Sequence, residues 1–161
     1  MDGMIDLDPD FLDFISSCID RDVRFLIVGG YAVAAHGHPR YTKDLDVWVL
    51  VGQRNAERLL LALGDFGFES LDLTTQDFLD DDVVIQLGYE PVRIDLLTAA
   101  SGVDFADCYE RRVEIDVEGV RIPFISLPDL RRNKAASGRL RDLADLEDLP
   151  ADDRGRQPNA C

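Results

Sequence analysis

Basic side chains are scarce in this chain. Lysine and arginine together number 17 against 32 aspartates and glutamates, a net charge of −15. That balance excludes a general polyanion binder that grips nucleic acid across a broad basic face, and leaves room only for a local basic groove. Histidine occurs twice in 161 residues, as His36 and His38. No third ligand stands near them, so no zinc site is expected. The cysteines, Cys18, Cys108 and Cys161, are odd in number and far apart. They read as reduced thiols of a cytoplasmic protein, not as a disulfide framework. No apolar run reaches the ~18 residues of a membrane span. The opening MDGMIDLDPD is acidic where a secretion signal is basic, so no export signal is expected. No repeat of fixed period is present.

What remains is a composition suited to one globular domain. Hydrophobic residues make up 46% and charged residues 30% of the chain, enough for a core and a solvated surface. Phe11, Leu12, Phe14, Ile15 and Cys18 recur at helical spacing after Asp8 and Pro9, which predicts a helix over 10–21. RFLIVGG predicts a short buried strand that stops at a glycine pair. A helix follows Gly30, ended by Gly37 and Pro39. Leu45–Val51 reads as a second strand and 54–63 as an amphipathic helix closed by Gly64 and Gly67. A short strand is expected near Phe68–Leu73, and Asp80, Asp81 and Asp82 form a solvated loop without the pattern of a calcium loop. VVIQLGY with PVRIDLLT, and RRVEIDV with VRIPFIS, are two hairpins. A helix is expected over 103–110, and residues 127–148 are helical in two pieces around Ser137 and Gly138. The fold class is therefore α/β (α+β), a mixed sheet flanked by helices with a C-terminal helical segment. The domain spans 1–149, and 150–161 is expected to be a mobile tail.

The chemistry is concentrated in TKDLDVWV. Asp44 and Asp46 are two apart on a strand, so their side chains share one face, with Cα atoms roughly 6.5–7 Å apart. Leu45 and Val47 point the other way. Two carboxylates at ~4 Å repel by about 4 kcal/mol at an effective dielectric of ~20. A cation or a retained proton must relieve that. Mg²⁺ does so directly, since it takes oxygen ligands and commonly one or two carboxylates plus substrate phosphates. Asp95, between Ile94 and Leu96, is an acid among apolar neighbours that needs a partner. Arg93 shares its face. If the Asp95 strand lies beside the Asp44 strand, three carboxylates converge and can hold two Mg²⁺ ions. Upstream, Gly29 and Gly30 let backbone approach a phosphate closely, and thirteen residues separate Gly30 from Asp44.

The stretch LIVGGYAVAAHGHPRYTKDLDVWV resembles the signature of the polymerase-β-like nucleotidyltransferase superfamily: a hydrophobic residue, a glycine pair, a spacer, then acid–hydrophobic–acid–hydrophobic. RYTKDLD, Arg40 to Asp46, is similar more narrowly to the form found in AbiEii-type toxin nucleotidyltransferases and their small relatives. ISLPDLRRNKAASGRLRDLADLEDL is similar to the C-terminal helical segment of that group. The resemblance spans roughly residues 23–149. It implies a minimal nucleotidyltransferase fold and Mg²⁺-dependent transfer of a nucleoside monophosphate from an NTP to an acceptor hydroxyl, with release of pyrophosphate. Asp44, Asp46 and Asp95 would be the catalytic, metal-binding acids, Asp95 also helping to deprotonate the acceptor. Gly29 and Gly30 would contact the triphosphate. Arg40, Thr42, Lys43 and Lys134 are the candidate phosphate contacts. Many members carry serine where this chain has Gly30. The acceptor implied is a tRNA 3′ end, a partner protein's side chain or a small molecule, with a toxin–antitoxin setting among the possibilities and no membrane partner.

Each of these residues also has a plainer reading. Asp44 and Asp46 could be a solvated pair, Asp95 a buried acid paired to Arg93, and Lys134 a surface lysine. Arg139, Asp142 and Asp145 follow helical spacing and are explained by ion pairing along one face. Trp48 falls on the Asp46 face and could stack a base or serve the core. A non-catalytic binding module or antitoxin partner retaining the fold is the competing reading of the whole chain.

Overall fold

The computed structural model describes residues 7–37, 42–68, 72–89 and 91–150. The chain opens with α1 (Pro9–Asp20), whose start follows from Asp8: its side chain accepts from the Asp10 N–H at 2.8 Å, and Pro9 occupies the first turn. Phe11, Phe14, Ile15 and Cys18 form its buried face. Then come β1 (Phe25–Val28), α2 (Gly29–Ala35), β2 (Asp44–Val49) and α3 (Gln53–Phe66). β3 (Val84–Tyr89) and β4 (Val92–Leu97) follow, then α4 (Phe105–Glu110), β5 (Val113–Val117), β6 (Val120–Phe124), α5 (Leu127–Ser137) and α6 (Leu140–Asp148).

The six strands form one sheet in the order β3-β4-β2-β1-β6-β5. It is mixed. Both hairpins, β3–β4 and β5–β6, are antiparallel, as is β1–β2, whereas β2–β4 and β1–β6 are parallel. Leu45, Val47 and Val49 of β2 and Ile94 and Leu96 of β4 are buried on one side of the sheet. Side chains alternate along a strand, so Asp44, Asp46 and Asp95 face the other side. α1 and α3 pack on each other, and α1 also meets β4.

Most expected elements form, with informative shifts. α3 runs through Gly64 and stops at Gly67, whose φ of 105° supplies the left-handed turn that ends it. β2 starts one residue earlier and stops two residues earlier than its apolar pattern suggested, because its partner β1 ends the pairing at Phe25↔Val49. The strand expected near Phe68–Leu73 is not found at 68, 72 or 73, and 69–71 lie outside the described residues. A single 3-10 turn over Thr75–Phe78, closed by a capping box between Thr74 and Asp77, was not anticipated. It buries Phe78.

Asp80, Asp81 and Asp82 are exposed. Cys18 and Cys108 are buried free thiols, and burial pushes the Cys108 thiol up to about 12. His36 is held by its Nε2 contact with the Ile125 carbonyl at 2.7 Å. His38, Pro39 and residues 151–161, which include Cys161 and nearly all of the expected tail, lie outside the described residues. Among the described residues, no helix is long and apolar enough to cross a membrane.

Candidate active site

Three strands bring the acids together. β1 ends at Val28, opposite Asp46 in the antiparallel register. The chain then turns at Gly29, whose φ of +69° belongs to the left-handed region. A Cβ at Gly29 would overlap Asp46 Oδ2 and lie 2.9 Å from its Cγ. The glycine is thus required twice, by its backbone conformation and by its closeness to the carboxylate. On the other side, β2 runs parallel to β4 with Asp44 opposite Arg93 and Asp46 opposite Asp95. Residues opposite each other in neighbouring parallel strands project from the same face. Asp44, Asp46, Arg93 and Asp95 therefore form one four-residue patch.

Its electrostatics are unbalanced. Arg93 donates from Nε to Asp95 Oδ1 at 3.1 Å and from Nη2 to Asp95 Oδ2 at 3.2 Å. Its Nη1 lies 3.7 Å from Asp44 Oδ2. The other oxygen of Asp44, Oδ1, is buried without a hydrogen-bond partner. Burial pushes the Asp46 carboxyl up to about 7, and the charges of Asp95 and Asp44 add to the rise. Lys134 and Arg93 pull it down, but not enough to offset that rise.

A cleft of about 370 Å³ opens beside the patch, with Gly29, Gly30, Asp46, Lys134, Arg139 and Arg141 in its lining. Asp82 of the acidic loop also lines it, a placement that a purely solvated loop does not predict. A larger cavity of about 850 Å³ lies around Asp129, Arg111 and Arg132. Its charged groups already satisfy one another: Asp129 accepts two hydrogen bonds from Arg111 at 3.0 Å each and one from Arg132 at 2.6 Å. That is an ion-pair knot, whereas the smaller cleft includes Asp46 of the acid patch in its lining.

The predicted phosphate contacts separate. Gly29 and Gly30 line the cleft. Lys134 lines it too, but its Nζ is 2.8 Å from Asp142 Oδ1 and 3.0 Å from Asp145 Oδ2, and all three side chains are buried. Burial would raise the Asp142 carboxyl, yet hydrogen bonds from Lys134, Ser137 and Arg139 outweigh it and hold it down at about 2. Lys134 is therefore not the surface lysine of the plainer reading; it bolts α5 to α6. Of the ion pairing expected along one helix face, Arg139 and Asp142 form a pair at 2.7 Å. Asp145 instead meets Lys134 because Gly138, with φ of 68°, turns α6 back onto α5. Spacing along the chain could not show that return. Thr42 and Lys43 precede β2 and do not line the cleft; the Thr42 hydroxyl is 3.5 Å from the Asp44 carbonyl. Arg40 lies outside the described residues.

One further reading changes. Trp48 does share the Asp46 face, but it is 2% exposed and packs edge-on against Phe105 at 5.1 Å. α4 covers it, so it serves the core and does not stack a base. Arg131 on α5 donates to the Leu146, Leu149 and Pro150 carbonyls at the end of α6.

The acids suit an oxygen-seeking divalent cation: one buried carboxylate oxygen lacks a partner, and one carboxyl is pushed up by burial and by its acidic neighbours. They are not a finished cage. Among the described residues, no three acidic, histidine or cysteine side chains are drawn together closely enough to hold a metal ion.

Similar folds are known. A candidate nucleotidyltransferase from Thermotoga maritima superposes with a TM-score of 0.58 at 14% identity, covering 89% of this chain and 94% of that one. An antigenic nucleotidyltransferase-like protein from Paracoccidioides brasiliensis gives 0.52 at 16% identity, covering 86% of this chain and 72% of that one. At such identities the likeness concerns the fold. No curated protein matches the sequence. A family model described as nucleotidyltransferase of unknown function (DUF6036) matches residues 6–150. With the whole described structure inside that match, the chain belongs to the DUF6036 family of nucleotidyltransferases.

Proposed function

We propose that this chain transfers a nucleoside monophosphate from an NTP to an acceptor hydroxyl, with Asp44, Asp46 and Asp95 as the catalytic acids. The observation that carries the reading is the register of β2 and β4, which sets Asp46 beside Asp95 on the face that also holds Asp44. Two Mg²⁺ ions held by these three carboxylates would neutralise the triphosphate and polarise the reacting phosphorus. Asp44 and Asp46 would hold the metal, and the Gly29 turn keeps the space in front of Asp46 open. Gly29 and Gly30 present backbone to the triphosphate. Arg139 and Arg141, which also line the cleft, supply positive charge where the chain as a whole repels phosphate. Asp95 accepts the proton of the attacking hydroxyl. The acceptor oxygen bonds to the α-phosphorus, the bond to the bridging oxygen breaks, and pyrophosphate leaves.

Lys134 acts in this reading through the long-range field of its buried cluster more than by direct contact. Thr42 and Lys43, on the approach to β2, would touch the nucleotide from outside the cleft, and Arg40 would be a further phosphate contact. The resemblance of Arg40–Asp46 to the AbiEii-type toxin transferases supports reading the chain as a cytoplasmic enzyme of a toxin–antitoxin pair. The strong net acidity favours a protein side chain or a cationic small molecule over a free tRNA 3′ end as acceptor.

The test is to incubate the protein with each α-labelled NTP, Mg²⁺ and a cell extract, and to follow the label. Transfer to one macromolecule or solute, absent with Asp46→Asn, supports the proposal. No transfer from any NTP, with no Mg²⁺-dependent NTP binding, favours the non-catalytic module instead.

A further inference from the structure

We propose that Arg93 is the resident counter-ion of the acid cluster, that a divalent metal takes Asp95 as a ligand only by displacing it, and that its guanidinium is then received by the phosphates of the nucleotide. This rests on the reading of the cluster as a metal–nucleotide site. Arg93 and Asp95 lie two apart on β4, so their side chains share one face. Both oxygens of Asp95 accept from the guanidinium, at 3.1 and 3.2 Å, and the third nitrogen is 3.7 Å from Asp44. One planar cation thus spans the two carboxylates on either side of Asp46.

The other cation near Asp46, Lys134, is already held by Asp142 and Asp145 at 2.8 and 3.0 Å. Arg93 is a cation shared by Asp44 and Asp95. Both oxygens of Asp95 already accept a charge-assisted hydrogen bond, and a divalent cation bound there would sit against the positive guanidinium, so ligation by Asp95 drives Arg93 off it. Arginine does not release its proton in proteins, so it cannot yield by deprotonation and has to move. Its side chain is 32% exposed, which gives it a way out toward solvent. Displaced into water, the guanidinium exchanges a bidentate carboxylate for hydration alone. With an NTP present it meets phosphate oxygens, which match its fork as well as a carboxylate does. Metal alone therefore binds weakly, and metal with nucleotide binds well.

Calorimetry at pH 8 tests this, with Mn²⁺ alone and with Mn²⁺ plus a non-hydrolysable ATP analogue, on wild type, Arg93→Gln and Arg93→Lys. Lysine keeps the charge and loses the fork, so it separates displacement from net charge and serves also if the glutamine variant does not fold. Mn²⁺ alone should bind Arg93→Gln at least roughly tenfold more tightly than wild type, the scale of a lost charge-assisted hydrogen bond. Arg93→Lys should fall between the two, and both variants should bind the Mn²⁺–analogue complex more weakly than wild type. A variant that binds Mn²⁺ alone no better than wild type overturns the inference while leaving the proposed function standing. No binding of Mn²⁺ or of the complex by any of the three proteins overturns both.

Discussion

Asp46 and Asp95 are partners in the parallel register of β2 and β4, one strand spacing apart on the same face of the sheet. Neighbouring strands lie only about 4.8 Å apart, so two acids placed this way cannot both ionise cheaply. The half-buried Asp46 carboxyl bears the consequence and is pushed up to about 7.

The pH dependence of stability follows with a definite sign. Asp46 holds its proton more tightly when folded than when unfolded, where its value is near 3.8. Its contribution is therefore fully present below about 4 and is lost as pH rises through 7. Asp142, held down at about 2, contributes in the opposite sense: its stabilisation is present above 3.8 and is lost as pH falls toward 2. Chemical unfolding of the metal-free protein between pH 5 and 8 should show stability falling with pH. Asp46→Asn should flatten that slope, and an unchanged slope in the variant would assign it elsewhere.

Asp46→Asn should also separate stability from function. Removing an ionisable group that repels its neighbours leaves the metal-free fold as stable as wild type at pH 8, or more so. Nucleotidyl transfer should disappear. A melting temperature several degrees below wild type at pH 8 would count against the electrostatic account.

Gly29 and Gly138 form a matched pair, with φ of 69° and 68°. Alanine in the left-handed region costs roughly 1–2 kcal/mol at either position. At Gly138 a Cβ meets nothing within 4 Å, whereas at Gly29 it runs into Asp46. Gly138→Ala should show the backbone cost alone. Gly29→Ala should lose more stability and also weaken Mg²⁺-dependent NTP binding at least roughly tenfold, as for a displaced charge-assisted ligand. Equal effects of the two substitutions on both readouts would refute the close approach at Gly29.

Lys134→Met leaves Asp142 and Asp145 buried without their shared cation. Breaking a buried pair in this way costs about 3–5 kcal/mol, which urea unfolding can measure. A loss below about 1 kcal/mol, the scale of an exposed pair, would mean that Lys134 is not the bolt between α5 and α6.

The site was legible in the sequence where its geometry is local. Asp44 and Asp46 share a face because strands alternate, and two apolar neighbours announce the strand. Asp95 was legible because an acid between Ile94 and Leu96 in a buried strand has to find a partner. The Gly29 turn was visible as a glycine pair after four apolar residues, but its contact with Asp46 depends on the antiparallel pairing of β1 with β2, which no local pattern records. Lys134 shows the opposite case. Its partners Asp142 and Asp145 are near in sequence, yet they meet it only because Gly138 reverses the chain, and helical spacing pointed them toward Arg139. The face of Trp48 follows from alternation, but the cover over that face comes from Phe105, 57 positions downstream. The sheet order was only partly legible, since hairpins show themselves through turn residues while the parallel pairs β2–β4 and β1–β6 join distant segments.

NTP binding in the presence and absence of Mg²⁺, measured by calorimetry on wild type and on Asp44→Asn/Asp46→Asn, bears most directly on the acid cluster. Wild type should bind one NTP only when Mg²⁺ is present, and the double variant should bind none under the same conditions. Equal Mg²⁺-dependent binding by both proteins would contradict the assignment of these acids.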